Sequence, residues 1–341
     1  MAMTAAERIF DCRSALARFF GLSNAETVIF TPNTTYAINL FLKGILKKGD
    51  HILISDLEHN SVFRPIYKLA REGIIEYDVF PSMCGCDNAT PTRICAGIAK
   101  RIRPNTRLVI CAHTSNICSY ALPIGRIGAF CHRHGILFAV DAAQSAGHLP
   151  IHMKDMCIDA LAIPGHKGLY GIQGAGALLL SDPLSMETLV EGGNGLLSLE
   201  GGMPEHPPER YESGTLPTPA IASLLRGVET VSDIGLSKIA EHEHKLFDAT
   251  AERLSLFDRI TVHVPECRGS TILFSANGIP SERLSAALGK KGICVRGGYH
   301  CSALGHATLK TPSDGAVRVS FGLYNTLSDV DHLIAALGEI L

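Results

Sequence analysis

Ile136-Leu137-Phe138-Ala139-Val140-Asp141-Ala142-Ala143-Gln144 and, a short way downstream, Asp159-Ala160-Leu161-Ala162-Ile163-Pro164-Gly165-His166-Lys167-Gly168 decide how this chain folds. Each is an apolar run that stops at a charged side chain. Continuous apolar runs of this length read as strands buried on both faces, the signature of a parallel sheet covered by helices. In open α/β sheets ligands bind beyond the carboxyl ends of the strands. Asp141 and Lys167 both fall at such an end. Taken singly, Asp141 is an ordinary helix N-cap and Lys167 a solvated loop residue. Together they place a carboxylate and an amine at one rim of one sheet.

Outward from this pair the pattern continues. Strands are expected over 28–31, 51–55, 74–80, 107–112 and 175–180, with helices over 36–46, 61–72 and 124–134 between them. Strands alternating with helices define an α/β fold with a mostly parallel sheet. The Gly- and Pro-rich stretch 192–219 reads as a long functional loop. After it the pattern changes to a long helical region over 221–256, strands near 260–264, 270–275, 294–296 and 317–320, and helices over 281–291 and 328–340, the last with Ser328 as its N-cap. The expected organisation is an N-terminal helix over 1–20 lying near the smaller domain, a large domain over 21–220, and a smaller C-terminal α+β domain over 221–341.

The chain has 341 residues, 46% of them hydrophobic, with 31 Lys+Arg against 33 Asp+Glu. A net charge of -2 gives no whole-chain attraction to nucleic acid or to an anionic membrane. No apolar run approaches the ~20 residues that cross a bilayer. Met1 to Phe20 carries Glu7, Arg8, Asp11, Arg13 and Arg18 and so lacks the apolar segment of a secretory signal. The 11 cysteines are scattered in a chain far larger than disulfide-stapled domains, which points to a reducing cytoplasm. The close pair Cys84-x-Cys86 has no second matching pair and reads as two loop thiols; no metal site is expected.

The chemistry at the strand ends points to pyridoxal phosphate (PLP). A desolvated Lys167 would favour its neutral amine, which forms a Schiff base with an aldehyde. A carboxylate such as Asp141 keeps a pyridine nitrogen protonated, so that the ring acts as an electron sink. Val140-Asp141-Ala142-Ala143-Gln144 with Gly165-His166-Lys167 resembles the class V aminotransferases, among the fold-type I PLP enzymes, and within them the cysteine desulfurases. The resemblance runs through nearly the whole chain in family order. It implies a large domain with a mostly parallel seven-stranded sheet, PLP as cofactor, and Lys167 as the residue that holds it.

Further roles follow from the same resemblance. In Thr31-Pro32-Asn33-Thr34-Thr35, at a helix start suited to phosphate, Thr34 and Thr35 match phosphate ligands, as does His166. His59, in Glu58-His59-Asn60-Ser61, matches the ring-stacking histidine that assists proton transfer. Asn116 and Gln144 match residues at the ring hydroxyl, Asn116 also lying near the substrate. Thr215, in Tyr211-Glu212-Ser213-Gly214-Thr215, matches a threonine given to the partner subunit's phosphate and so implies a homodimer with shared sites. Val295-Arg296-Gly297-Gly298-Tyr299-His300-Cys301 resembles the subgroup with a short Arg-x-Gly-x-His-Cys loop, whose cysteine takes sulfur from PLP-bound L-cysteine and carries it as a persulfide to an acceptor protein. Cationic neighbours such as Arg296 favour the reactive thiolate. Arg318 matches the arginine that binds the substrate carboxylate, a task suited to a bidentate donor.

Two departures from the family are expected to matter. An Asn-Ala-Ala-Thr-like N-terminal segment that lines the substrate site has no counterpart in a sequence that opens at Met1-Ala2-Met3, implying truncation or an incomplete pocket. Pro164 stands where a phosphate-binding Ser or Thr is common, so that contact is lost. The alternatives are a selenocysteine lyase, another class V activity such as an aminotransferase, and a non-catalytic homologue acting as a binding protein.

Overall fold

The computed structural model describes residues 2–341. Its main sheet contains β1 (Val28–Thr31), β2 (Asp50–Ser55), β3 (Ile75–Phe80), β4 (Thr106–Ala112), β5 (Leu137–Asp141), β6 (Ala160–Pro164) and β7 (Gly176–Leu180), in the order β1-β7-β6-β5-β4-β2-β3. Strands β2 to β6 pair in parallel, while β7 runs antiparallel to both of its neighbours.

Successive residues of these strands enter opposite apolar layers. Val109, Cys111, Phe138, Val140, Leu161 and Ile163 face one layer; Leu108, Ile110, Ala139, Ala160 and Ala162 face the other. Helices α2 (Thr34–Ile45) and α3 (Asn60–Arg71) cover the second face. Helices α1 (Ala2–Phe19), α4 (Pro91–Ala99), α5 (Ile124–Arg133) and α6 (Thr218–Ile234) cover the first. Double-sided burial is why these strands read as unbroken apolar runs.

A second lobe begins with α7 (Leu236–Leu254). It holds β8 (Ile260–His263), β9 (Thr271–Ala276), α8 (Ser281–Lys290), β10 (Arg296–Gly298), α9 (Ala303–Thr308), β11 (Ala316–Ser320) and α10 (Leu327–Ile340). Its antiparallel sheet has the order β10-β11-β9-β8 and its own core around Leu246, Phe274, Leu284, Val317 and Leu333.

Several expectations need correction. The helical region over 221–256 is two helices, because Gly235 adopts φ 86, outside the right-handed helical region. Ile221, Leu224 and Val228 of α6 pack into the core of the large sheet, so a boundary at 220 cuts through a helix that belongs to the large lobe. The N-terminal helix lies against α6, with Cys12, Leu16 and Phe20 in the same core, and not beside the smaller lobe. Met1 lies outside the described residues. Helix α4 was not expected; Thr90 caps it through Arg93 N, with Pro91 at its first turn. The last helix is capped by Thr326 rather than Ser328, in a capping box with Asp329.

Candidate active site

The carboxyl ends of β4, β5 and β6 and the starts of α2 and α3 enclose a cleft of about 160 Å³. Thr34, Thr35, His59, Asn116, Asp141, Gln144, His166 and Lys167 all line it, together with Asn33, Ser61 and Thr114. The structure thus brings eight of the expected site residues to one place. Arg296, Cys301 and Arg318 lie on the smaller lobe at its border. Thr215 is exposed on its loop and does not line the cleft of its own chain.

Each residue is set by local structure. Asp141 is the last residue of β5, buried, with Oδ1 accepting Ala143 N–H at 2.9 Å. Burial raises its pKa, while the Ala143 hydrogen bond and the Lys167 charge oppose the rise. Lys167 follows β6 on a turn that glycines permit. Gly147, at φ 87, lies so close beneath that a Cβ there would come 2.0 Å from Gly168 O. The expected desolvation of Lys167 is incomplete, since its side chain reaches solvent through the cleft. Its pKa is nonetheless lowered, first by burial and further by Arg318, against the pull of Asp141.

The start of α2 is built for an anion. Asn33 caps it through Tyr36 N at 3.0 Å, so neither threonine hydroxyl serves as the cap. Thr34 Oγ1 is buried without a partner among the described residues, and Thr35 Oγ1 meets Ser61 Oγ at 2.7 Å. His59 caps α3: its Nδ1 accepts Ser61 N–H at 3.0 Å, which leaves the proton of the neutral ring on Nε2. Burial and then the charges of Lys167, Arg318 and Arg296 push its pKa down to about 4, so the ring is neutral at physiological pH.

Asn116 ties the lobes together. Its Nδ2 donates to His300 O at 2.8 Å, and its main-chain carbonyl accepts from Arg318 Nη1 at 2.8 Å. Asn60 N–H donates to Cys301 O at 2.8 Å, fixing the cysteine loop beside His59. The β10–β11 register places Arg296 opposite Arg318. Arg318 Nε has no partner among the described residues; burial lowers its pKa, Arg296 adds to the lowering, and Cys301 opposes it. Two guanidiniums side by side, one with a free N–H, have the charge and the donors to pair with a carboxylate. Cys301 is exposed at the loop tip, where His300 and Cys301 have φ 51 and 57. Consecutive left-handed residues with side chains cost about 1–2 kcal/mol each, so neighbouring bonds must hold them.

Those bonds include a residue that sequence reasoning missed. His300 Nε2 donates to Arg296 O at 2.9 Å, so its Nδ1 accepts from His306 Nε2 at 3.1 Å, and His306 Nδ1 accepts from Thr311 Oγ1 at 2.8 Å. Burial pushes both histidines down to about 4, which keeps this one-way chain neutral. The second histidine six residues past His300 was the available signal. Glu58 was missed as well. Buried beneath the cleft, it bonds Ser55 Oγ and accepts Ala112 N–H at 3.0 Å, and burial pushes it up to about 8.

A strand-end carboxylate and an amine lining one cleft, a helix start with a spare hydroxyl and two neighbouring arginines accord with a class V aminotransferase; that family's model matches residues 1–333, and the chain belongs to it. Relatives narrow it to the cysteine desulfurase group. A "Probable cysteine desulfurase" of Halobacterium salinarum is 33% identical, over 96% of this chain and 80% of that protein. A "Cysteine desulfurase" of Escherichia coli O139:H28 is 30% identical, over 98% and 83%. Among solved structures, an apo cysteine desulfurase from Thermococcus onnurineus superposes with a TM-score of 0.87 at 28% identity, over 99% of this chain and 84% of that one. The S-sulfonic acid form of the Escherichia coli cysteine desulfurase CsdA gives 0.88 at 25%, over 99% and 84%.

Proposed function

We propose that the chain is a PLP-dependent cysteine desulfurase that converts L-cysteine to L-alanine and keeps the sulfur as a persulfide on Cys301. The observation that carries this reading is the Asn116 junction, which joins the Lys167–Asp141 cleft to the cysteine loop and to Arg318. The family uses PLP, and the partnerless Thr34 Oγ1 and the Asp141–Lys167 pairing fit it. Bound PLP supplies an electron sink conjugated to the substrate Cα.

Lys167 holds the cofactor and then moves the substrate's α proton, a task its lowered pKa suits. With PLP bound, Asp141 would accept from the pyridine nitrogen and keep it protonated. Thr34, Thr35 and His166 would hold the phosphate, the neutral ring of His59 would serve the pyridine face, and Gln144 and Asn116 would serve the ring hydroxyl. Arg318, with Arg296 beside it, takes the substrate carboxylate. The Cys301 thiolate attacks the substrate sulfur; the C–S bond breaks, its electron pair returns to carbon, and protonation there gives alanine. An acceptor protein then removes the sulfur from the exposed loop tip.

The chain acts as a homodimer, with Thr215 of a second copy completing the phosphate site. The exposure of Leu196, Leu197 and Leu199 on the loop that carries Thr215 supports this assembly. Free thiols throughout the chain support a cytoplasmic setting, and no helix among the described residues is long and apolar enough to cross a membrane.

Alanine release from L-cysteine tests the reading. Lys167→Ala should abolish it. Cys301→Ala should keep the yellow cofactor yet stop sulfur delivery, and full activity in that variant would overturn the persulfide assignment.

A further inference from the structure

The Cys84-x-Cys86 pair has no part in the chemistry above, yet Cys84 does not stand alone. Its Sγ lies 3.8 Å from Cys118 Sγ, both buried in a small apolar cluster with Leu57, Ile117 and Leu273. Cys84 sits on the loop after β3, and Cys118 on the turn after β4 that carries Asn116. A third thiol, the half-buried Cys267 of the smaller lobe, lies near Cys84 as well. Its loop abuts the Cys84 loop, since a Cβ on Gly85 would stand 3.2 Å from Val264. The two thiols share one hydrogen bond and are tightly coupled: burial opposes ionisation of both, and the sulfur that accepts the other's proton is the one eased toward thiolate. One thiol beside one eased thiolate is the arrangement that thiol–disulfide chemistry requires. Among the described residues no group of three or more His, Cys, Asp or Glu is arranged as metal ligands, which leaves sulfur–sulfur chemistry for this pair.

We propose that Cys84 and Cys118 form an oxidation site that closes to a disulfide under hydrogen peroxide and thereby shifts the turn that holds Asn116. In the first step one sulfur of the pair, as thiolate, attacks one peroxide oxygen, the O–O bond breaks, and a sulfenic acid and hydroxide form, the hydroxide taking up the proton that the thiol had released to give water. In the second, the other sulfur attacks the sulfenic sulfur, the S–S bond forms, and its own proton leaves with the sulfenic hydroxyl as a second water; two electrons pass to one peroxide. Closure draws the sulfurs from 3.8 Å to about 2.05 Å. Two residues before Cys118, Asn116 carries the bonds to Arg318 and His300, so the shift reaches the carboxylate receptor. This consequence, unlike the disulfide itself, rests on the proposed desulfurase reading.

The test uses PLP-loaded protein carrying Cys86→Ser, Cys294→Ser and Cys301→Ser, which remove the exposed competing thiols. After treatment with hydrogen peroxide, alkylation and peptide mapping, a Cys84–Cys118 link should appear, reverse with a thiol reductant, and persist in an added Cys267→Ser variant. The apparent Kd for L-cysteine, read from cofactor absorbance, should rise at least about fivefold on oxidation, the lower end for coupled sites, and should not change when Cys118→Ser is added. Sulfonic acids without a link, a Cys84–Cys267 link, or stoichiometric zinc that blocks oxidation would overturn the site. A mapped link with unchanged affinity would overturn its effect on the cleft. If reduced protein gives no spectral response to L-cysteine while the link still maps, the desulfurase reading fails and the oxidation site stands.

Discussion

Replacing Arg13 with alanine should unfold the protein several degrees earlier, although Arg13 is nowhere near Lys167 in sequence. Arg13 and Glu212 are both buried and share two hydrogen bonds, of 2.8 and 2.9 Å. Glu212 also accepts Phe30 N–H at 2.6 Å, and the guanidinium lies 4.6 Å from the centre of the Phe30 ring. Helix α1, β1 and the Thr215 loop thus meet at one ion pair. Removing one member of such a pair leaves a buried unpaired charge, which costs about 3–5 kcal/mol. With an unfolding entropy near 2.1 cal/mol/K per residue, a chain this long should lose about 4–7 °C of Tm. Burial already raises the Glu212 pKa, and Arg13 opposes that rise. Loss of Arg13 raises it further, so the variant's deficit should be largest at neutral and higher pH and shrink as acid protonates the carboxyl. Adding Glu212→Gln to Arg13→Ala should recover at least about half of the loss, because the uncompensated charge is gone. Calorimetry or urea unfolding at pH 5 and pH 8 measures both effects. A deficit under about 1 kcal/mol, the range of exposed pairs, or a double variant as unstable as the single one, would refute the argument.

Glu58 supplies a pH signature of the opposite kind. Its folded pKa, about 8, stands above its value in the unfolded chain, so the stability it contributes is complete below the unfolded value and is lost as pH rises through 8. Integrated proton release predicts a loss of about 1.4 kcal/mol between pH 7 and pH 9, seen as a falling urea midpoint that Glu58→Gln abolishes; a variant with the parent's slope would count against a neutral Glu58. Gly147→Ala should damage the cofactor site without touching it: a Cβ 2.0 Å from Gly168 O, at φ 87, forces the Lys167 turn to move. PLP affinity, measured by absorbance titration, should fall by about tenfold or more, since about 1.4 kcal/mol of such strain changes an equilibrium tenfold. Unchanged affinity would mean that the turn yields freely.

The large sheet was legible because its strands are buried on both faces: Ile136 to Asp141 has no polar residue until its end, and the Asp141–Lys167 pairing followed from where two such runs stop. The errors arose where one backbone dihedral or one side-chain bond decides the outcome. Gly235 splits a region whose apolar spacing is helical throughout, and only its φ of 86 reveals the break. Thr326 displaces Ser328 as cap because Asp329 answers it at the third helical position. Helix α1 was misplaced because its apolar stripe fits any apolar partner; the specificity lies in Arg13 meeting Glu212, 199 positions away. His306 and Glu58 escaped notice for the same reason, their roles being contacts across the fold rather than motifs.

What the sequence least conveys is that the cleft is finished by a lobe the chain reaches only after residue 235. The large sheet alone aligns Lys167 and Asp141, but Arg318 and the Cys301 loop arrive from β10, β11 and the turn to α9, and the polar bonds that hold them in register include Asn116 to His300 and Arg318, Asn60 to Cys301, Ser119 to Thr271, Ser302 to Glu58 and Thr308 to Asp56. Each involves backbone on at least one side, so register depends on main-chain position more than on any one side chain. The left-handed pair His300–Cys301 stays at the loop tip only while those bonds and the His300–His306 chain hold. The Cys301 thiol can therefore be exposed and still keep a fixed address beside the cleft, because its strain is carried by neighbours in both lobes.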